Sequence, residues 1–156
     1  MPVDHQCFIE GDAAEDAGDF KTARASFERG AALGDPYCWS RLGLMFDNGV
    51  GCDVDKVMAM RCYRRAWRFR DVVAASNIAV LYREAGNQRA MFQWFKRAVE
   101  AGDDGAFIEL AKCYVSGVGT RRSSAEAEKC LDRALEGSLS EAEREEAEQL
   151  LAVLHK

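Results

Sequence analysis

Proline and histidine are nearly missing from this chain, with 2 of each in 156 residues. Proline interrupts helix interiors, so its scarcity permits a fold built from helices. His5 and His155 stand at opposite ends, so no central serine or cysteine has an imidazole base nearby, as nucleophilic catalysis requires. No C-x-x-C pair occurs among Cys7, Cys38, Cys52, Cys62, Cys113 and Cys130, and zinc-ligand spacing is therefore lacking. No uncharged apolar run approaches the ~20 residues that span a bilayer. The start, Met1-Pro2-Val3-Asp4-His5-Gln6, has no basic segment followed by an apolar one, as an export signal would need. These absences lead to the expectation of a cytoplasmic protein in a reducing compartment, with no enzyme activity, metal or other cofactor.

The chain is 48% hydrophobic and 30% charged, enough to bury a core without disulfide or metal staples. Its net charge of -5 is unevenly spread. Residues 1–55 carry 4 Lys/Arg and 11 Asp/Glu, residues 56–97 carry 10 and 2, and residues 98–156 carry 7 and 13. The acidic total argues against nucleic acid as a general partner, while the basic middle block suits a local anion or an acidic surface.

Internal repetition decides the fold class. Trp39-x-x-Leu42-Gly43-x-x-Phe46 is echoed by Ala75-x-x-Ile78-Ala79-x-x-Tyr82 and by Phe107-x-x-Leu110-Ala111-x-x-Tyr114. A second echo follows each: Ala59-x-x-x-Tyr63-x-x-Ala66, Met91-x-x-x-Phe95-x-x-Ala98 and Ala127-x-x-x-Leu131-x-x-Ala134. Spacings of three and four predict two helices per unit, with the small residue letting the backbones approach and the aromatic three residues on filling the neighbouring groove. Gly34-Asp35, Arg70-Asp71 and Gly102-Asp103 close successive units, and Ala14 to Asp19 matches Tyr82 to Asn87, which makes residues 4–33 a degenerate first pair. Glu10 stands there in place of Leu or Ile, as fits a terminal unit with a wet face. Ser140-Glu141-Ala142-Glu143 is a capping-box sequence ahead of the apolar stripe Ala147, Leu150, Leu151 and Leu154, and predicts a capping helix. The expected architecture is all-α: a right-handed superhelical α-solenoid of about four helix-turn-helix repeats (4–35, 36–71, 72–103 and 104–138) within residues 1–139, closed by a C-terminal helix over 140–156.

With its glycine-rich loops Gly49-Val50-Gly51 and Gly117-Val118-Gly119, this pattern resembles the Sel-one-like repeat family, close kin of tetratricopeptide repeats, over about residues 4–138. The unit from Val72 to Asp103 lacks that loop and looks more like a plain tetratricopeptide unit. The resemblance implies an α-solenoid scaffold or adaptor for other proteins, commonly in bacteria. Some secreted relatives bridge cysteines in every unit, whereas here the units hold one, three, none and two. Cys62 and Cys130 occupy the second-helix position of Trp94 and are expected in the core. Cys113 and Cys130 lie on two helices of one hairpin and could approach each other, and Cys52, in a loop, is the expected exposed thiol.

Several constellations read as structure rather than chemistry. The two GVG loops do not continue as G-x-G-x-x-G, have no P-loop lysine and follow no predicted strand. Asp47, Asn48, Asp53 and Asp55 lack calcium-loop spacing and its closing glutamate. Glu141, Glu143, Glu145, Glu146 and Glu148 form a solvated face.

Two surfaces remain as binding candidates. Arg61, Arg64, Arg65 and Arg68 share one face of a second helix, with Tyr63 and Ala66 toward the core. These arginines either pair with acidic neighbours from the flanking blocks, or meet an acidic protein surface, or meet nucleic acid. Counted outward from the small residues, the inner side of the first helices holds Tyr37, Ser40, Leu44 and Asp47, then Val73, Ser76, Val80 and Arg83, then Gly105, Ile108, Lys112 and Val115. The apolar members would line a channel for an extended segment or helix of a partner protein, with Asp47, Arg83 and Lys112 as polar handles. The bland alternative is that some of them only pack neighbouring hairpins. The function expected is a non-enzymatic interaction module. The competing class is a dedicated inhibitor or immunity-type partner of a secreted toxin.

Overall fold

The computed structural model describes residues 5–156. Met1–Asp4, and with them the first residue of the first expected repeat, lie outside the described residues. Among the described residues there are nine α-helices and no strand: α1 (Gln6–Asp16), α2 (Phe20–Ala32), α3 (Pro36–Asn48), α4 (Lys56–Arg68), α5 (Val73–Glu84), α6 (Gln88–Glu100), α7 (Ala106–Ser116), α8 (Ser124–Glu136) and α9 (Glu141–Leu154). They form two compact units, Met1–Ala74 and Ala75–Lys156. The all-α fold of helical hairpins followed by a C-terminal helix matches the expectation.

Helix starts are written in short polar side chains. Asp19 accepts from the Thr22 amide at 3.1 Å, Asp55 from Met58 at 2.9 Å, Asn87 from Ala90 at 3.0 Å and Ser123 from Glu126 at 3.2 Å. Each satisfies an amide that the first turn leaves without a helical partner. These caps recur 68 positions apart, as Asp19 with Asn87 and Asp55 with Ser123, and α2 with α6 and α4 with α8 match helix for helix at the same shift.

In the first two hairpins the small residue meets a large one. A Cβ on Gly43 would stand 2.4 Å from Cε1 of Tyr63, and one on Gly11 would stand 2.4 Å from Cε1 of Phe27. Phe27 and Tyr63 are wholly buried, so glycine is what lets the rings lie on the opposite backbone. In the second unit Ala111 and Leu131, 68 positions from Gly43 and Tyr63, sit in one core cluster with Ala127, Ala134 and Ala147. The expected wet face of the first helix is present, since half-exposed Glu10 pairs with Arg29 at 2.5 Å.

The GVG loops have a packing role. Gly51 has φ +66° and a Cβ there would fall 2.5 Å from Cβ of Phe20 at the start of α2. Gly119, with φ +74°, has its Cβ position 2.2 Å from the Gln88 carbonyl oxygen at the start of α6. Left-handed backbone and close approach both demand glycine, independently of any phosphate.

Candidate functional site

In the first unit the expected binding residues are mostly engaged in holding the unit together. Tyr37 is 49% exposed, and its ring packs against His5 and Phe8 with centroids 5.3 and 5.9 Å away. The buried Asp35 accepts from the Tyr37 amide at 2.9 Å and lies 2.8 Å from Nδ1 of His5. Ser40 donates to buried Asp71, whose other oxygen caps the Val73 amide at 3.1 Å. Asp47, expected as a free polar handle, accepts from Lys56 at 2.5 Å and from the Tyr63 hydroxyl at 3.1 Å. It is a brace of the α3–α4 hairpin. Leu44 is half-buried, and Val73 is exposed at the start of α5.

The α4 arginines stand in solvent while Tyr63 and Ala66 are buried. Arg61 lies 3.8 Å from Sδ of Met58. Among the described residues Arg61, Arg65 and Arg68 form no ion pair, so pairing with acidic neighbours does not account for them. Arg65 and Arg68 occupy the last turn of α4, where a cation faces the negative end of the helix dipole.

The second unit gathers its charged residues around two cavities along α5 and α7. One, of about 340 Å³, is lined by Arg83, Gly86, Gln88, Met91, Glu109, Lys112, Cys113, Ser116 and Val118. The other, of about 260 Å³, is lined by Ser76, Val80, Arg83, Phe95, Asp103, Gly105, Ala106, Ile108, Glu109, Glu143 and Glu146. Arg83 and Glu109 belong to both and form an ion pair between them. Lys112 holds Glu109 at 2.8 Å and Glu146 of α9 at 2.7 Å. Burial raises the Glu109 pKa, but hydrogen bonds from Lys112 and Arg83 outweigh it and leave the carboxyl below its ordinary range. Burial acts downward on Lys112, and Glu109 and Glu146 reverse the sign, so its ammonium is held more firmly than usual.

Ser76 donates to Asp103 at 2.5 Å and is structural, like Ser40. Ile108, expected to line an open channel, is only 2% exposed and belongs to the core with Ala111, Leu131 and Ala147. The reason is α9: its apolar stripe covers the end of α7, and where α3 and α5 carry serine, α7 carries isoleucine. Val115 also packs on that cluster. The acidic run of α9 needs a second correction, because Glu143 and Glu146 border the smaller cavity rather than forming only a solvated face. Glu109 was absent from the sequence-level candidates. Its signal was legible as a charge exchange at a 68-residue shift, Glu15 with Arg83 and Arg41 with Glu109.

Cys38, Cys62, Cys113 and Cys130 are not poised for nucleophilic chemistry. Burial pushes Cys38 up to about 12 and both Cys62 and Cys130 to about 11, and it raises Cys113 at the larger cavity. All six are free thiols, Cys113 and Cys130 included. Cys130, expected in the core, is half-buried at its edge. Cys52, expected to be exposed, is half-buried and donates to the Met45 carbonyl at 3.5 Å.

A Sel1 repeat family model matches residues 40–66, 92–103 and 108–138. The chain carries Sel1-like repeats over these segments. Among solved structures it is similar to a Sel1 repeat protein from Oxalobacter formigenes, with a TM-score of 0.68 and 25% identity over 75% of this chain and 48% of that one. It is also similar to c5321, a protective antigen present in uropathogenic Escherichia coli strains displaying an SLR fold, with a TM-score of 0.74 and 20% identity over 85% of this chain and 29% of that one. The chain thus spans less than half the length of either solved relative. No curated protein matches it. The shortest match, 92–103, falls in the stretch without a GVG loop. Sel1 repeats generally mediate protein–protein contact on a non-catalytic scaffold. In this Sel1-like chain no described helix is long and apolar enough to cross a membrane.

Proposed function

We propose that the protein is a non-enzymatic interaction module which binds a segment of another protein on its first-helix surfaces, with residues 1–139 as the repeat domain and 140–156 as its closing helix. The observation that carries this is the pair of cavities along α5 and α7, where Val80, Arg83 and Lys112 border open space. Tyr37, Leu44 and Val73 are the corresponding contact candidates of the first unit. The arginine face of α4 is a further contact for an acidic partner surface, acting mainly on association rate. The setting proposed is a reducing compartment.

The test is affinity capture from the native host, followed by binding measurements with the purified partner. Replacing Tyr37 or Val80 by a polar residue, or Lys112 by glutamine, is expected to weaken binding by ~1–3 kcal/mol at a hot spot. Little change in melting temperature is expected for Val80 and a lowered one for Tyr37 and Lys112, which give up contacts to His5 and Phe8 and to Glu109 and Glu146. If all three variants bind normally, these surfaces are not the interface. A single partner held one-to-one below nanomolar would point to a dedicated inhibitor, whereas micromolar binding to several peptides points to an adaptor.

A further inference from the structure

The smaller cavity of the second unit has an apolar side and an acidic rim. Val80 supplies the accessible part of the apolar side over a floor of Phe95 and Ile108, each 2% exposed, and Asp103, Glu143 and Glu146 supply the rim. Its volume of about 260 Å³ is below the ~300–1,000 Å³ typical of pockets for drug-sized ligands, and suits one long side chain. The rim is not fully engaged. Asp103 is occupied by Ser76 at 2.5 Å, and Glu146 uses Oε1 for Lys112 at 2.7 Å. Glu143 uses Oε2 for the Ser140 amide and hydroxyl at 2.8 and 2.6 Å. Among the described residues nothing donates to Oε1 of Glu143 or Oε2 of Glu146. Gly105 keeps the approach clear, since a Cβ there would stand 3.0 Å from Oε1 of Glu143. The one cation on the lining, Arg83, is held by Glu109 and lies over the Phe95 ring at 5.3 Å.

We propose that this cavity seats an arginine side chain of the bound protein segment, its methylene stem against Val80, Phe95 and Ile108 and its guanidinium on Glu143 and Glu146. The assignment rests on the protein-binding function proposed above and names the partner residue that it recognises. A planar fork of donors suits two carboxylates with free lone pairs on neighbouring turns of one helix. The apolar lining suits a side chain that buries its stem and keeps its charge at a polar rim. An acidic residue would be repelled by these carboxylates, and a neutral polar one would bring donors without the charge that strengthens their hydrogen bonds.

The experiment titrates N-acetyl-arginine amide into the full ¹⁵N-labelled chain, with N-acetyl-citrulline amide as the uncharged isostere. Saturable shifts are expected at the amides of Val80, Ile108, Glu143 and Glu146, with citrulline at least about tenfold weaker, because the difference is a charged hydrogen bond. Glu143→Gln with Glu146→Gln is expected to weaken the arginine probe about tenfold or more. Glutamine at position 143 keeps the capping box intact, so α9 stays folded and unchanged melting confirms it. Gly105→Ala is expected to weaken the probe by narrowing the mouth. Equal citrulline binding, unsaturable shifts spread over the acidic surface, or no shift at these amides would overturn the assignment. If the arginine probe fails while Val80→Asp still weakens a captured partner, the arginine seat is wrong and protein binding stands; if Val80, Tyr37 and Lys112 variants all bind the partner normally, the broader function fails too.

Discussion

In the first unit Arg41 of α3 pairs with Glu15 of α1 at 2.6 Å, and its guanidinium lies over the Phe27 ring at 5.7 Å. In the second unit, 68 positions on, Glu109 of α7 pairs with Arg83 of α5, and now Arg83 lies over the Phe95 ring at 5.3 Å. The charges have changed places between the two helices, yet a cation still covers the equivalent ring. One layer away the covering group changes and its helix does not: Arg24 of α2 lies over Phe46 at 5.1 Å in the first unit, and Phe92 of α6 meets Tyr114 edge-on at 5.4 Å in the second. The hairpin scaffold therefore fixes where a ring must be covered, and leaves open which helix provides the cover. That freedom sets the character of the surface. Leu44 of the first unit corresponds to Lys112 of the second, and a glutamate at position 109 binds that lysine, whereas an arginine at position 41 would repel it.

The largest expected effect comes from breaking the glycine–aromatic pair that only the first unit uses. Tyr63→Ala empties a wholly buried site and is expected to cost ~3–5 kcal/mol in denaturant unfolding. Gly43→Ala alone drives a Cβ to 2.4 Å from the Tyr63 ring and is expected to cost ~1–3 kcal/mol despite the better helix propensity of alanine. Importing the second unit's solution, Gly43→Ala with Tyr63→Leu, should cost less than the two single changes added together by ~1 kcal/mol or more. Strict additivity would show that the two units do not share one packing scheme.

Next is the exchanged ion pair. Arg41→Glu places a third carboxylate beside Asp12 and Glu15, which Arg41 now holds at 3.1 and 2.6 Å. The expected loss is ~1–3 kcal/mol, since the guanidinium is only 29% exposed. Adding Glu15→Arg recreates the second unit's arrangement and should recover most of the loss. Failure of the double variant to recover would mean that Asp12, for which the second unit has Val80, fixes the sign.

How far the sequence carried depended on whether one residue or two elements had to be right. The hairpins, the caps and the buried faces were legible because local spacing specifies them: Tyr63, Ala66, Ala111 and Leu131 all fall inside as their periodicity requires. The site was less legible because its residues acquire partners from other helices. Periodicity places Ile108 on the same face as Ser40 and Ser76, and only the packing of α9 turns that position into core. Asp47 has the look of a solvent-facing loop acid until Lys56 and Tyr63 close on it. Glu143 and Glu146 similarly belong to a charge run whose role appears once α9 lies beside Lys112 and Gly105.

A smaller effect sits at the residue before Asp71. Gly34 and Gly102 end their hairpins with φ +88° and +101°, and Arg70 occupies the equivalent place with φ +74°. A side chain in this left-handed region costs ~1–2 kcal/mol that glycine does not incur, partly offset by glycine's greater loss of freedom on folding. Arg70→Gly is therefore expected to raise stability by ~0.5–1 kcal/mol, whereas Gly102→Arg should lower it. Unchanged melting in both would mean that the turns relax to absorb the difference.

The smallest expected effect concerns the pH dependence of the exchanged pair as it stands in the second unit. Glu109 carries its carboxyl in the second unit with its pKa lowered, because hydrogen bonds from Lys112 and Arg83 outweigh the upward effect of burial. A group depressed in the folded state binds fewer protons there than in the unfolded chain, where glutamate titrates near ~4.3. Its contribution is thus complete above that value and disappears as the pH falls through the folded pKa. Glu109→Gln should consequently lower the melting temperature at pH 7, and the gap between wild type and variant should narrow through the acid limb below about pH 4.3 and close near its bottom. The magnitude stays under ~1 kcal/mol because the Arg83 side chain is 47% exposed and water screens the pair. A gap that persists unchanged down to pH 2 would show that Glu109 acts through packing or hydrogen bonding rather than charge.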